Sequence, residues 1–523
     1  MRPPFSTSEP SEPTGPSGPA REAGTAGPAR EAGTAGPARE AGTAGPAQQA
    51  GAPGPAQQAG TAGRGGRPEP PTGRFERTGG SVFDPLFGTP EVDRELDGRA
   101  WVRAMLDFER ALARAQSRAG LVPPGAADAI AEATAVLRPD PADLGRRARA
   151  SGTPVVPLLG DLGRVLPAEA APYLHLGATS QDVLDTAAVL VTKRCLGQIL
   201  ADLNGVAEHC ARLAAEHRDT LMAGRTLGQH ALPITFGLTC AGWLVAVGEG
   251  IAALERVREH RLAVQFGGAA GTLAALGADG PRVLGLLAAE LGLAEPVLPW
   301  HTDRTRIAEL AGALGAASGV LATIALDLTL LAQTELGEIA EATGGASSAM
   351  PHKQNPVRSV LVTAATRRVP GLVATLLSGM AQEHQRAAGA WHAEWQPLSE
   401  LLGLVGGATA GTADVLSGLR VDARRMRQNL DATRGLPMAE RVAGLLAPAL
   451  GRDAAHELVS RVCRDAVATD RSLGQALHDD PEVRAHLSPE QIDESVRPGG
   501  YLGSTSAFID RALAAHANRG GGR

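Results

Sequence analysis

Apolar residues recur at three- to five-residue steps along most of this chain, and that period constrains the fold more than any other feature. One such stripe lies at Leu196, Ile199, Leu200, Leu203, Val206, Cys210 and Leu213. This spacing predicts α-helix. Helical patterns longer than 25 residues, which we predict over 307–341 and 359–389, are typical of helix bundles. Because no alternating run is long enough for a large sheet, the sequence predicts an all-α fold with a central long-helix bundle.

The composition changes sharply near residue 80. Residues 1–80 are mostly Pro, Gly, Ala, Ser and Thr, and the nine-residue unit Gly-Pro-Ala-Arg-Glu-Ala-Gly-Thr-Ala begins at Gly18, Gly27 and Gly36. A segment with so few large apolar side chains cannot fill a core, so we expect a disordered tail. The remaining pattern predicts three helical domains at 81–190, 191–435 and 436–523, with the bundle in the middle one.

Charge and cysteine content limit the function classes. The formal net charge is -6, which argues against a nucleic-acid surface. The four cysteines show neither paired nor metal-type spacing, which favours a reducing, cytoplasmic compartment and gives no metal site. The most apolar run, 311–326, is short for a membrane span, so we interpret it as core. We therefore expect neither nucleic acid nor a membrane as a partner.

Residues 344–356 carry the most concentrated chemistry in the sequence. The stretch reads Gly-Gly-Ala-Ser-Ser-Ala-Met-Pro-His-Lys-Gln-Asn-Pro. Ser347 and Ser348 are potential proton carriers, Lys353 is a fixed charge and Asn355 is an amide that both donates and accepts. An ordinary Gly/Ser loop with one lysine is the plainer interpretation. The ordered string Ser-Ser-x-Met-Pro-x-Lys-x-Asn-Pro, however, resembles the signature of the fumarase/aspartase superfamily.

A second polar cluster spans residues 175–186 and begins with His175. Thr179 and Asp182 have the spacing of a capping box, so a helix is predicted to start here. Free N–H groups at a helix start, together with the hydroxyls of Thr179 and Ser180, are suited to binding a carboxylate. Plain helix capping is the alternative. The cluster also resembles the superfamily's Gly-x-Thr-Ser-x-Asp region, which binds substrate carboxylate.

The third cluster, 225–233, contains Gln229 and His230. In many superfamily lyases a histidine directly follows the threonine of this region, but here Leu227 follows Thr226. The Gln-His-Ala order is instead similar to one branch, the 3-carboxy-cis,cis-muconate cycloisomerases. A lone histidine is more often structural, yet imidazole titrates near neutral pH, so His230 is a candidate acid or base.

Further matches to that branch extend over most of residues 82–515. They include Pro-Trp-His-Thr-Asp-Arg ending at Arg304, and Trp-His-Ala-Glu-Trp from Trp391 to Trp395, whose alternative is an aromatic core patch. Two residues depart from the pattern. Thr305 stands where an acid commonly follows the arginine, and Gln354 replaces the usual arginine of the serine loop. Both departures concern substrate contacts rather than superfamily membership.

The resemblance implies a cycloisomerase that adds a substrate carboxylate to a carbon–carbon double bond, closing a lactone without any cofactor. It implies a small tricarboxylate substrate and a homotetramer whose sites are shared between subunits. Catalysis would fall to Ser347 or Ser348 and to His230, the last as acid/base or as a carboxylate ligand. The substrate-binding candidates are His175, Thr179, Ser180, Gln229, Arg304, Lys353 and Asn355. The alternatives are an adenylosuccinate- or argininosuccinate-type lyase that releases fumarate, and a non-catalytic helical scaffold like the lens crystallins of this superfamily.

Overall fold

The computed structural model describes residues 82–342, 345–346, 350 and 352–520. The predicted tail, 1–80, lies outside this part, as do Ser347 and Ser348. The described chain forms eighteen α-helices and six short strands. The helices are α1 Pro90–Leu96, α2 Gly98–Arg118, α3 Pro124–Val136, α4 Pro141–Ala148, α5 Val155–Val165, α6 Ser180–Glu216, α7 Phe236–His260, α8 Gly280–Leu291, α9 Thr305–Leu331, α10 Val357–Ser378, α11 Ala390–Ser417, α12 Ala423–Asp431, α13 Ala439–Leu450, α14 Arg452–Ala468, α15 Leu473–Asp479, α16 Pro481–Arg484, α17 Pro489–Ser495 and α18 Thr505–Gly520.

The strands form three separate antiparallel pairs. They are β1 Leu221–Thr226 with β2 Gln229–Thr235, β3 Ile339–Ala340 with β6 Arg420–Val421, and β4 Gly345–Ala346 with β5 Gln354–Asn355. With so little strand, the prediction of an all-α fold is confirmed.

The five longest helices, α6, α7, α9, α10 and α11, pack together as a bundle around one apolar core. The stripe predicted on α6 faces this core, because every one of its seven residues is buried. Burial of an apolar stripe, rather than intrinsic helix propensity, stabilises helices of this length. The bundle is therefore the scaffold on which the polar side chains discussed below are placed.

Two predicted helices end earlier than the pattern indicated. The one predicted over 307–341 ends at Leu331, because the chain turns through Gly337, which has a φ of +58°, and then forms β3. The one predicted over 359–389 ends at Ser378, and the polar residues that follow reach other elements: Gln382 donates to Glu394 and Arg386 donates to Gln181. Contacts with distant residues decide both ends, and periodicity does not report such contacts.

A second apolar cluster lies within residues 438–492 and is separate from the bundle core. The last helix, α18, instead packs on α6 and α7, and Ile509 and Ala512 join the bundle core. The division into three domains stays a prediction.

Three bundle helices expose apolar side chains within the described part of the chain. By length and composition alone, α7, α9 and α10 are long and apolar enough to cross a membrane. Leu314, Leu321 and Ile324 of α9 are fully buried, as expected for core. In contrast, Leu326 is 49% exposed and Val360 of α10 is also 49% exposed. One side of the bundle therefore presents apolar surface.

Candidate active site

A cavity of about 1710 Å³ lies within the described structure. Its walls are the β1–β2 hairpin, the end of α9 with the loop that follows it, and the segment from residue 350 through β5 into α10. It brings together three residues predicted from two separate motifs: His230 from one, and Lys353 and Asn355 from the other. A concave site with a few convergent polar groups is the usual form of a small-molecule site.

A tight hairpin places His230 on the cavity wall. The two turn residues, Leu227 and Gly228, have φ values of +52° and +76°, which is typical of a two-residue hairpin turn. The turn fixes the register, so that His230 lies opposite Arg225 and Gln229 lies opposite Thr226. Because successive side chains of a strand point to opposite faces, Gln229 points away from the face that carries His230. A substrate-binding role for Gln229 stays a prediction that this orientation disfavours.

The environment of His230 favours its neutral form. Partial burial lowers the pKa of His230, the charge of Arg225 lowers it further, and Glu338 opposes them. Nδ1 is buried and has no hydrogen-bond partner within the part of the chain that the structure describes. Sequence reasoning singled out His230 but missed Glu338, since nothing in the local motif indicates a residue more than a hundred positions away.

Hydrogen bonds hold together the two ends of the signature stretch, residues 344–356, and the residues just outside it. Asn355 belongs to β5, which pairs with β4, and its Nδ2 donates to the carbonyl oxygen of Gly345 at 3.5 Å. Glu341 precedes the stretch and Ser359 follows it, near the start of α10. The buried carboxylate of Glu341 accepts hydrogen bonds from the backbone N–H and the hydroxyl of Ser359, at 2.9 and 2.7 Å. Lys353 is exposed in the cavity and forms no ion pair with any described residue. Among the described residues, therefore, no carboxylate neutralises its ammonium, which suits an anionic ligand.

The second predicted cluster lies at the start of α6, away from this cavity. The helix begins at Ser180 as predicted, and the backbone N–H of Thr179 donates to Asp182 Oδ2 at 3.0 Å. The Asp182 carboxylate is fully buried and also accepts from the N–H groups of Gly267 and Gly268, each at 2.9 Å. Gly268 has a φ of +68°, and a Cβ there would lie 2.7 Å from a carbonyl oxygen, so only glycine fits.

Two histidines in this region are each hydrogen-bonded to a carboxylate, His301 to Asp182 and His175 to Glu109. His301 Nε2 lies 2.7 Å from Asp182 Oδ1. His175 Nδ1 lies 2.7 Å from Glu109 Oε1. Burial works to lower the pKa of His175, but the charge and hydrogen bond of Glu109 outweigh it, so the pKa is raised. The protein's own carboxylates thus already occupy much of the predicted carboxylate site. Substrate binding by His175, Thr179 and Ser180 stays a prediction.

Arg304 is enclosed by acidic side chains. Its guanidinium is 2% exposed and donates to Asp185 at 2.8 and 3.1 Å and to Glu394 at 2.5 to 3.1 Å. Burial works to lower the pKa of Arg304, and the two carboxylates outweigh it and raise the pKa. Trp391 Nε1 donates to Asp185 at 2.9 Å. Because all three guanidinium nitrogens are engaged, this geometry disfavours the predicted substrate-binding role of Arg304.

Residues of the Trp-His-Ala-Glu-Trp motif therefore hold the Arg304 cluster in place, and none of them lines the cavity that contains His230. Trp391 and Glu394 both belong to α11, and both hold the Arg304–Asp185 cluster from one side. The guanidinium also lies 5.0 Å from the ring centroid of Trp300. Buried ion clusters of this kind are tolerated when hydrogen bonds satisfy their polar atoms. Here each guanidinium nitrogen and each carboxylate oxygen of the cluster has at least one partner.

Known proteins that resemble this chain cover nearly all of the described part. Residues 84–371 match the family described as "Lyase", and residues 435–512 match "Adenylosuccinate lyase C-terminus". The 3-carboxy-cis,cis-muconate cycloisomerase of Pseudomonas aeruginosa is 46% identical over 441 residues, which are 83% of this chain and 96% of that protein. The nitrosuccinate lyase of Streptomyces davaonensis is 46% identical over 444 residues, which are 82% of this chain and 92% of that one.

A solved structure supports the same relationship. The crystal structure of the 3-carboxy-cis,cis-muconate lactonizing enzyme from Pseudomonas putida matches with a TM-score of 0.79 at 43% identity, covering 84% of this chain and 99% of that chain. Fold, motifs and relatives agree with the resemblance predicted from the sequence. The chain belongs to the fumarase/aspartase superfamily of lyases.

Proposed function

We propose that this protein is a 3-carboxy-cis,cis-muconate cycloisomerase, which forms 4-carboxymuconolactone in the breakdown of protocatechuate through the β-ketoadipate pathway. The observation that carries the proposal is the 46% identity to the Pseudomonas aeruginosa cycloisomerase across 96% of that enzyme. The local chemistry agrees with it. His230, in the Gln-His-Ala order typical of this branch, lines the same cavity as the open cation of Lys353.

In the proposed reaction one substrate carboxylate adds to a carbon–carbon double bond of the same molecule. Negative charge then develops on the neighbouring carbon and spreads into its own carboxylate. A fixed cation aimed at that carboxylate stabilises the charge, and Lys353 is suited to this role, with Asn355 as a second donor. A positioned acid then protonates the carbon, an effect worth roughly 10²–10⁴-fold. We assign this proton to Ser347 or Ser348.

The proposal includes a homotetramer with sites shared between subunits. Within one chain, Thr179 and Ser180 lie in a different neighbourhood from the cavity that holds His230 and Lys353. A second chain that supplies the α6 cluster to this cavity would complete the set of donors for a tricarboxylate. The apolar side of α7, α9 and α10 offers the surface for such an assembly.

We place the protein in the cytoplasm, as its metabolic relatives suggest. All four cysteines are free thiols. Burial raises the pKa of Cys195 and of Cys210 to about 12, so neither is a reactive thiolate. A reducing compartment suits thiols of this kind.

Nitrosuccinate elimination is a second candidate, favoured by the 46% identity to the Streptomyces davaonensis lyase over 444 residues. Elimination from a succinate derivative and lactone formation both place charge on a carbon beside a carboxylate. A cavity with one open cation is therefore suited to either reaction.

An ultraviolet assay of the purified chain with 3-carboxy-cis,cis-muconate tests the proposal. We expect the diene absorbance to fall, with one lactone product and no fumarate. Nitrosuccinate and adenylosuccinate are assayed in parallel. Turnover of either one, with the muconate unchanged, would contradict the cycloisomerase and identify an eliminating lyase. Replacing both Ser347 and Ser348 by alanine should abolish turnover while the folded assembly persists.

A further inference from the structure

Arg225 is the nearest charged neighbour that the hairpin provides to His230. The two residues are directly opposed in the β1–β2 register. Opposed residues in an antiparallel pair carry their side chains on one face, with Cβ atoms about 4.5–5.5 Å apart. Both side chains line the large cavity. The imidazole therefore lies beside a guanidinium at the cavity wall.

A buried carboxylate holds that guanidinium in place. Glu338 is fully buried, and its oxygens accept from Arg225 Nη2 at 2.6 Å and Nη1 at 3.1 Å. Asn429 of α12 donates to the same carboxylate at 2.8 Å and to the carbonyl of Leu336 at 2.9 Å. A bidentate pair with a third donor is rigid and satisfies most of the carboxylate's capacity. The Arg225 guanidinium is thus fixed in position, and most of the hydrogen-bonding capacity of the Glu338 carboxylate is already used.

The hydrogen bonding of His230 also opposes a positive charge on the ring. An imidazolium carries a proton on both nitrogens, so its buried Nδ1–H would lack an acceptor among the described residues. A buried donor left unsatisfied is destabilising. A neutral ring with its proton on Nε2 leaves only a bare acceptor at Nδ1, which is the less costly arrangement.

We propose that Arg225, fixed by Glu338 and Asn429, is a positioning residue that keeps His230 a neutral imidazole, so that His230 donates a hydrogen bond to a substrate carboxylate and does not supply the proton. This inference deepens the proposed function and rests on it for the substrate carboxylate. It divides the roles that the sequence left open. The proton comes from another group, such as the serines assigned above, and His230 binds.

Other charged groups lie at the cavity or on the helix that packs on β1, and none of them is hydrogen-bonded to His230 within the described residues. Arg425 of α12, the helix that packs on β1, is engaged by the carbonyl oxygens of Leu336 and Glu335. The remaining titratable side chains at the cavity are Asp327, Glu335, Glu341, His352 and Lys353. Arg225 and Glu338 are therefore the pair whose removal should act on His230 most directly.

Site-resolved histidine exchange of the C2 proton, read by mass spectrometry across a pH series, measures the pKa of His230 without any turnover. In Arg225→Gln the Glu338 carboxylate loses its partner, so the pKa of His230 should rise. In Glu338→Gln the charge of the Arg225 guanidinium is no longer balanced by a carboxylate, so the pKa of His230 should fall. Arg225→Lys keeps the charge and should leave the value near that of the wild type. Arg427→Gln, in an exposed pair on α12, is the matched control.

Opposite shifts for the first two variants support the inference, and an unchanged His230 pKa in folded Arg225→Gln overturns it. If Glu338→Gln does not fold, the Arg225→Gln and Arg225→Lys pair still decides the matter. Should the shifts be found in a protein that does not turn over the muconate, the proposed function fails while the positioning of His230 by Arg225 stands.

Turnover then separates binding from proton transfer. His230→Leu loses the hydrogen bond to the substrate carboxylate, so its KM should rise about tenfold or more. Glutamine retains a neutral N–H donor, so the rise in KM should be smaller in His230→Gln. The acid limb of the kcat/KM profile should move to higher pH in Arg225→Gln. Equal loss of kcat in both His230 variants would show that the ring supplies the proton and would overturn the assignment.

Discussion

The cluster around Arg304 and the cavity around Lys353 were both marked by family motifs, yet they use their charges in opposite ways. Arg304 is 2% exposed, and Asp185 and Glu394 engage all three of its guanidinium nitrogens. Lys353 is exposed in a cavity of about 1710 Å³ and forms no ion pair with the residues that the structure describes. A motif therefore identifies which residues matter, whereas the surrounding structure determines whether their charge remains available for a ligand.

The difference separates stability from binding. A complete buried network fixes the geometry of the helices that contribute to it, because removing one member leaves the others charged and unpaired. An open cation contributes little to stability and much to binding an anion. The two regions should consequently respond differently to the same kind of substitution, the loss of one positive charge.

The largest expected effect is on stability, from Arg304→Met. Methionine fills similar volume but leaves the Asp185 and Glu394 carboxylates buried without a counter-ion, and breaking such a pair is destabilising by about 3–5 kcal/mol. Burial already raises the pKa of Glu394, although Arg304 works to lower it. We expect a correspondingly lower free energy of unfolding in a denaturant titration. Arg427→Met, which breaks an exposed pair with Asp431, should change that energy by about 0.5 kcal/mol or less.

A free energy of unfolding within about 1 kcal/mol of the wild type for Arg304→Met would contradict this comparison. It would mean that Asp185 and Glu394 find other partners or protons at little cost, and that Arg304 is freer to act on a ligand than its burial indicates.

The next effect is on activity, from Lys353→Met. Loss of one donor aimed at developing charge lowers kcat by about 10²–10³-fold. The free energy of unfolding should stay within about 0.5 kcal/mol of the wild type, because the side chain is exposed and contributes no ion pair to the described structure. Lys193 is the chain's one other lysine and donates to the carbonyl of Gly292 far from the cavity, so Lys193→Met is a matched control. Loss of stability in Lys353→Met as large as in Arg304→Met would remove the distinction between the two regions.

The sequence predicted the helical class and the stripe of α6 because both depend on local periodicity, which a single sequence displays. It also predicted the start of α6, since the Thr179–Asp182 spacing is local. It overextended the helix that ends at Leu331, where pairing with β6, some eighty residues later, takes over. What decides a helix end here is a contact between distant segments.

For the site, the sequence nominated His230, Lys353 and Asn355, and the fold brings them to one cavity. It also nominated Arg304, whose charge two distant acids occupy. Residue type and family pattern suggest possible chemistry. Whether Asp185 and Glu394 neutralise the charge of Arg304, however, depends on how α6, α9 and α11 pack. That information is absent from any one motif.

The smallest expected effect tests whether the start of α6 behaves like the Arg304 cluster, through His175→Gln. The pKa of His175 is raised in the folded protein, mainly because the paired Glu109 outweighs the effect of burial. A group whose folded pKa is raised contributes stability that is fully present below its unfolded value and is lost as the pH rises through the folded value. The wild type should therefore exceed His175→Gln in unfolding free energy by more at pH 6 than at pH 8.5. His456→Gln, at an exposed position on α14, controls for the loss of an imidazole. A difference that does not depend on pH would show that the charge of His175 adds nothing to stability, so that His175 would resemble Lys353 rather than Arg304 in this comparison.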